Sequence, residues 1–215
     1  MKNKWNDKTA NIFVKKYLKK GINKELALRI YTTRLLGSDS KIVLHGGGNT
    51  SLKLYKENFK KINQNIIYVK GSGKDMGDID LDGFPALELD NLIRLKSKKK
   101  LNDFQMINFL KKYMLDTSFP NASIETLLHS FIPYKFIDHS HSNSVLSLIN
   151  QPNAIPICKR VFGKKIAIVP YVMPGFELSK KSSEIFEKNP NIEGLILLNH
   201  GIFTFANDAK KSYDL

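Results

Sequence analysis

The chain has 215 residues, 42% of them hydrophobic, which suffices for a buried core in one large domain or two small ones. No run approaches the roughly eighteen apolar residues of a membrane span. The N-terminus, MKNKWNDKTANIF, lacks the apolar segment of a signal peptide, so a cytoplasmic protein with no membrane contact is expected.

The net charge of +14 invites a nucleic-acid reading, because lysines neutralise phosphates and release counterions. The lysines nevertheless come as scattered pairs: Lys15–Lys16, Lys19–Lys20, Lys60–Lys61, Lys164–Lys165, Lys180–Lys181 and Lys210–Lys211, with Lys98 to Lys100 as the longer run. That pattern predicts solvated helix faces and no specific nucleic-acid partner. A basic surface still steers anionic, phosphorylated substrates toward the protein. Cys158 is the sole cysteine, so an intrachain disulfide is excluded, in keeping with a reducing compartment.

In chain order, Ile12, Phe13 and Tyr17 mark a helix over residues 8–20 that stops at Gly21. Asn23 caps a second helix, reaching Leu36 and ending at Gly37. Lys41 to Leu44 reads as a strand, and Leu52 to Tyr55 as another beyond the run His45-Gly46-Gly47-Gly48-Asn49-Thr50-Ser51. Ile66 to Val69 is a strand closed by Gly71-Ser72-Gly73-Lys74, and residues 75–89 read as irregular. Asn102 caps a helix over residues 103–115 with Phe104, Ile107, Leu110 and Met114 directed inward. Further on, residues 144–149 and 178–186 read as helices, and 166–172, 195–198 and 202–205 as strands. Asn207 or Asp208 caps a last helix. Helices and strands mix without βαβ alternation, and no linker interrupts them. The expectation is a single α/β domain over residues 1–215, a three-layer α/β/α sandwich with a mostly antiparallel central sheet.

The stretch from Ala122 to His141, ASIETLLHSFIPYKFIDHSH, carries a carboxylate and three of the five histidines. Ile124, Leu127, Leu128 and Phe131 have helical spacing, with Glu125 and His129 four apart on a neighbouring face, and Pro133 ends the helix. The strand that follows, over residues 134–141, puts His139 and His141 on one face, about 6.5 Å apart, so that two ring nitrogens can converge on one ion. His200 lies between an apolar strand and Gly201 and completes a three-nitrogen set, the number that leaves a catalytic zinc an open position. His45 and His129 read as structural or supporting histidines.

The glycine runs admit several readings. His45-Gly46-Gly47-Gly48 resembles a lipase oxyanion loop, but the chain has no G-x-S-x-G elbow. Gly73-Lys74 fails a Walker A pattern, since Tyr68 and Asp75 replace its first glycine and its hydroxyl residue. Two readings stay open: ordinary tight turns, or an anion nest in which backbone N–H groups join Asn49, Thr50, Ser51 and Ser72 around one phosphate.

GGGNTS, VKGSGKDMG, ASIETLLHS, DHSHS and LLNHGIFTF, in this order, resemble the class II aldolase/adducin family, and more closely the aldolase half of bacterial bifunctional rhamnulose-1-phosphate aldolase/short-chain dehydrogenase proteins. The likeness runs from Trp5 to Tyr213. It implies a zinc-dependent lyase that cleaves or forms a C–C bond in a phosphorylated ketose through an enediolate, releasing or taking up an aldehyde. By motif, His139, His141 and His200 bind Zn2+, Glu125 is the acid/base, and Gly48, Asn49, Ser72, Gly73 and Ser123 hold the phosphate. The family also implies a homo-tetramer or another homo-oligomer. Epimerases, dehydratases and the non-catalytic adducin head share the scaffold. Two departures stand out: the link from Glu125 to His139 is shorter than in the fuculose-phosphate branch, and the family's tyrosine proton donor has no matching position. The chain also stops before any dehydrogenase half, so it is either part of a longer chain or a stand-alone aldolase.

Overall fold

Two asparagines open the chain's first two helices by accepting hydrogen bonds from otherwise orphaned backbone N–H groups. Asn6 accepts from Thr9 (3.0 Å) and starts α1, Asp7–Leu18; Asn23 accepts from Leu26 (2.8 Å) and starts α2, Lys24–Gly37. The computed structural model describes residues 2–55 and 64–215; the Lys60–Lys61 pair lies outside the described residues. The later elements are β1 (Asn49–Leu54), β2 (Ile66–Val69), β3 (Ala86–Glu88), α3 (Leu89–Arg94), α4 (Asp103–Lys112), α5 (Thr126–Phe131) and β4 (Phe136–Ser140). They continue with α6 (Asn143–Ile149), α7 (Ala154–Phe162), β5 (Ile166–Val169), α8 (Phe176–Lys188), β6 (Gly194–Leu197), β7 (Gly201–Ala206) and α9 (Ala209–Asp214).

The strands form one sheet in the order β3-β2-β1-β4-β7-β6-β5. Every neighbouring pair is antiparallel except β5 with β6, so the sheet is mixed, with its parallel pair at one edge. Alternation along the strands sorts the core into two layers. Leu52, Leu54, Ile66 and Phe136 pack on α1, α2 and α9, and Ile196 on α6 and α7. On the other face, Ile67 and Val69 meet α3, α4 and α5, while Ile137, Leu195, Leu197, Phe203 and Phe205 meet α5 and α8. The result is the α/β/α sandwich.

Several elements differ from the expected ones, each for a local reason. Residues 41–44 make a turn instead of a strand: the Asp39 carbonyl accepts from the N–H groups of Ile42 (2.8 Å) and Val43 (3.3 Å), and both side chains bury against Leu36, Met76 and Tyr213. Residues 75–89 are not wholly irregular, because β3 pairs with β2 there. Residues 154–162 form α7, which periodicity alone did not suggest. In α4 the inward stripe is Met106 and Leu110; Phe104 and Ile107 are exposed, at 74% and 50%. Apolar residues surround much of that helix, so two overlapping stripes fit a helical period. Packing against Leu89, Leu92 and Leu95 selects the second.

Two buried cations tie the central strands to their helices. Arg29 of α2 donates to Asp138 of β4 at 2.5 Å, and at 3.4 Å to the carbonyls of Ser51 on β1 and Ile137 on β4. Lys53 of β1 donates at 2.8 Å to the carbonyls of Ile132 and Tyr134, which closes the exit from α5.

Removing one partner of a buried ion pair leaves an uncompensated charge, so Arg29→Ala should destabilise the fold by about 3–5 kcal/mol. Lys74→Ala, which removes the exposed pair with Asp82, should cost about 0–1 kcal/mol. Urea denaturation checks the contrast, and equal small losses would sink the clamp role of Arg29. Burial pushes the Lys53 pKa down from 10.5 to about 7. Between those values the unfolded chain binds a proton that the native chain releases, so this group's contribution to stability increases as pH rises through that window. Burial also keeps the Tyr17 hydroxyl, a donor to Asp80, protonated to higher pH than usual, which opposes the trend once free tyrosines ionise near pH 10. Lys53→Met should therefore flatten the dependence of stability on pH between about 7 and 9.5; an unchanged slope would assign it to other groups.

Candidate active site

The site is assembled at the junction of four elements. β1 and β4 pair with Asn49 opposite His139, and β4 delivers His141 two residues beyond. The β6–β7 turn presents His200: Asn199 takes a left-handed φ of 55°, and the His200 N–H donates to the Leu197 carbonyl (3.1 Å). Glu125 stands at the N-cap of α5 instead of within it, one step earlier than the apolar spacing suggested. A Cβ at position 201 would lie 2.5 Å from the Ser140 carbonyl and 2.9 Å from the His141 ring, so glycine there makes room for the imidazoles. Gly48, at φ 62°, would likewise drive a Cβ to 2.7 Å from the His139 carbonyl.

His139, His141 and His200 offer ring nitrogens that all lie within 4.8 Å of one another. The His139 Nδ1–H donates to the Ile202 carbonyl (3.0 Å), which leaves the Nε2 lone pair facing the cluster. Phe203 stacks flat on the same ring at 4.1 Å and 14°, holding its plane. Burial pushes the His139 pKa down to about 4 despite the nearby Glu125 carboxylate. His141 is lowered too, by burial and then by like charge from His200. His139 and His141 are thus neutral near pH 7, the form in which imidazole binds a metal.

Glu125 faces this cluster. Its Oε2 lies 3.3 Å from His139 Nε2, and its Oε1 lies 3.2 Å from His200 Nε2. Burial opposes ionisation, but attraction to His139 and His200 and the hydrogen bond from Asn49 overcome it, holding the carboxyl well below the usual range. Among the described residues, Glu125 Oε1 and His200 Nδ1 are buried without a hydrogen-bond partner. A buried carboxylate oxygen without a hydrogen-bond partner beside three converging ring nitrogens is the donor set of a divalent metal, and these residues fit one.

Behind the carboxylate runs a hydrogen-bond chain whose polarity follows from its acceptor end. Glu125 Oε2 can only accept, so the Asn49 amide nitrogen faces it (2.7 Å) and turns its oxygen toward His129 Nε2. His129 must therefore donate from Nε2 and accept at Nδ1 from the Ser51 hydroxyl (2.8 Å). Its burial keeps it neutral, well below the usual imidazole pKa. The Asn49 amide also donates to Ser123 Oγ (3.1 Å), which accepts from the Glu125 N–H as well (3.2 Å), so the Ser123 O–H keeps its proton to give.

The expected phosphate-holding residues divide. Asn49 and Ser123 are buried beside Glu125, and Gly48 lies under the histidine strand. Ser72 and Gly73 are exposed on an adjoining loop. A cavity of about 220 Å³ opens beside Ser72, walled by Ile107, Leu110, Met114 and Ile124. Ile107 thus lines a cavity instead of the core. His45 is exposed on the glycine loop, with a left-handed φ of 50°. Sequence reasoning missed two contributors. One is the Ile202 carbonyl, which carries no side-chain signal. The other is Lys70, whose ammonium donates to carbonyls of both glycine loops and whose position at the end of an apolar strand beside a glycine loop was the available clue.

The family described as the class II aldolase and adducin N-terminal domain matches residues 28–215. An uncharacterized oxidoreductase, YuxG of Bacillus subtilis (strain 168), is 36% identical over 184 residues, covering 86% of this chain. The chain spans only 27% of that relative's length. An L-fuculose phosphate aldolase of Methanococcus maripaludis is 30% identical over 177 residues, 81% of each chain. Among solved structures, the N-terminal class II aldolase domain of a conserved protein from Thermoplasma acidophilum superposes with a TM-score of 0.84 at 34% identity, covering 100% of this chain and 93% of that one. The chain belongs to the class II aldolase and adducin family.

Proposed function

We propose that this chain is a zinc-dependent carbon–carbon lyase that cleaves or forms a phosphorylated ketose in the cytoplasm, working as a homo-oligomer. The observation that carries the reading is the approach of the Glu125 carboxylate to two nitrogens of the three-histidine cluster, at 3.3 and 3.2 Å. An ionised base set against a metal-binding group suits proton transfer next to a carbonyl. Family kinship with a protein named for L-fuculose phosphate cleavage supports a sugar phosphate as substrate.

His139, His141 and His200 would hold the ion, which when bound supplies positive charge toward the oxygens where negative charge develops. In the condensation direction, Glu125 takes the proton from the carbon next to the ketone, and the bonding pair moves to the carbonyl oxygen. The resulting enediolate carbon then bonds to the aldehyde carbon with its C=C pair as the ketone carbonyl re-forms, the aldehyde oxygen takes a proton from solvent, and Glu125 gives up to solvent the proton it took. Cleavage reverses each step, with Glu125 returning its proton to carbon. Asn49 keeps Oε2 of Glu125 oriented throughout, because His129 fixes which way the amide points. Ser123, with its free O–H, and the Ser72–Gly73 loop would anchor the phosphate, reducing the entropy cost of alignment.

Purified protein should hold about one zinc per chain, and replacing any of His139, His141 or His200 by Ala should release it. Elemental analysis decides this: full metal content in all three single variants would move the site elsewhere. Glu125→Gln keeps the side chain's size and removes its basicity, so metal content should persist while turnover falls by about 10²–10⁴-fold. The assay offers fuculose 1-phosphate and rhamnulose 1-phosphate and follows release of a three-carbon ketone phosphate and an aldehyde. Interconverted or dehydrated sugars without C–C cleavage would identify an epimerase or dehydratase instead, and unimpaired turnover in Glu125→Gln would show another residue to be the base.

A further inference from the structure

Lys70 follows β2 directly and is 2% exposed. An ammonium has three donors, and this one directs all three at backbone carbonyls: Gly46 (3.0 Å), Gly71 (3.3 Å) and Lys74 (2.5 Å). The first belongs to the glycine loop before β1 and the other two to the loop after β2, so one side chain ties both loops together. The loops touch directly as well, since a Cβ on Gly46 would lie 3.4 Å from the Gly73 backbone.

We propose that Lys70 is a positioning residue for the substrate's phosphate, binding the two glycine loops from behind and supplying the fixed positive charge of the anion site they form. The inference rests on the reading that these loops hold a phosphate. An anion nest needs N–H donors, yet four in these loops are already committed: Gly47 donates to Leu44 (3.0 Å), Gly71 to Gly83 (2.8 Å), Ser72 to Asn121 (2.9 Å) and Lys74 to Gly71 (3.4 Å). The charge opposite a phosphate must then come largely from a side chain. Lys74 is drawn to Asp82 at 2.9 Å and is partly exposed, and His45 is exposed. Asp75, next in the chain after Lys74, accepts the Gly77 N–H at 2.7 Å. Lys70 is the cation enclosed between the loops, where the surroundings screen it less than a surface lysine. Burial pushes its pKa down to about 8, against the pull of Asp75, which leaves it mostly protonated near pH 7. Its donors are all used, so it acts through loop geometry and field and does not grip the phosphate itself.

The test compares phosphorylated with unphosphorylated ketoses in the metal-loaded protein, with inorganic phosphate as a competing anion. Lys70→Gln keeps two donors and loses the charge. KM for the phosphorylated ketose should rise about 10- to 100-fold with kcat within about threefold, and inhibition by inorganic phosphate should weaken in step. The slow reaction of the unphosphorylated ketose should lose far less, so that the preference for the phosphorylated form falls by about 10-fold or more. Lys70→Arg, which retains charge, should restore most of the preference for the phosphorylated form. A merely structural lysine would impair both substrates alike, and that result, or an unchanged preference in Lys70→Gln, overturns the proposal. Should Lys70→Gln not fold, Lys70→Arg still decides: inhibition by inorganic phosphate should remain within about threefold of wild type, and its loss overturns the proposal. A wild-type protein indifferent to inorganic phosphate and to substrate phosphorylation would overturn the phosphate reading itself, and this proposal with it.

Discussion

The pairing of β1 with β4, with Asn49 opposite His139, is the constraint on which the site depends. Side chains on paired strands alternate between the two faces, so this register sends Asn49, Ser51 and His139 to one side and Thr50 and Asp138 to the other. On the first side stand Glu125 and His129 of the α5 region, and on the second stand Arg29, Thr33 and Ser212. A slip by one residue would bring Asp138 into the histidine cluster and push His139 against Arg29. The wrong pairing would bury a charge among carbonyls and lose the ion pair. The clamp of Arg29 across β1 and β4 therefore specifies register, a task that apolar side chains of equal volume would do less sharply.

The chemistry of the first side follows from dryness as much as from identity. Histidine in water is half protonated near pH 6.5, and a protonated ring cannot bind a metal. Burial removes that competition at His139 and His129, and the Ile202 carbonyl and the Asn49 amide oxygen then decide which nitrogen of each ring carries the proton. The two rings end in opposite roles. His139 turns a lone pair toward the cluster, while His129 turns an N–H toward Asn49 and so fixes the donor that steadies Glu125. Tautomers set by backbone and amide groups cost no reorganisation when substrate arrives.

Much of this was legible in the sequence, and the part that was not has a common cause. His139 and His141 two apart on a strand, and a carboxylate just ahead, are local patterns, and local geometry brings them close to where they stand. His200 joined them through chemistry, since a third nitrogen completes a ligand set that leaves a catalytic zinc an open position. The α4 stripe, the turn at residues 41–44 and the role of Lys70 were hidden because each depends on a partner distant in sequence. Phe104 and Met106 are equally plausible core residues until α3 is placed beside them. Lys70 looked like one more lysine in a chain of net charge +14 until its three acceptors, spread over residues 46–74, were brought together.

The same dependence explains why the glycines around the site cannot be read one at a time. Gly48 and Gly201 both sit where a methyl group would press on the β4 backbone, at the His139 carbonyl and the Ser140 carbonyl respectively. They approach β4 from its two neighbours, β1 and β7. The histidine strand is thus gripped on both sides at van der Waals distance, and His139 has no lateral freedom without moving one of the two turns. One of those turns leads from the loop that Lys70 secures, and the other carries His200. Displacement of either loop would be transmitted to the histidines by direct backbone contact, which would couple the proposed phosphate end of the site to the histidine cluster without any intervening side-chain relay.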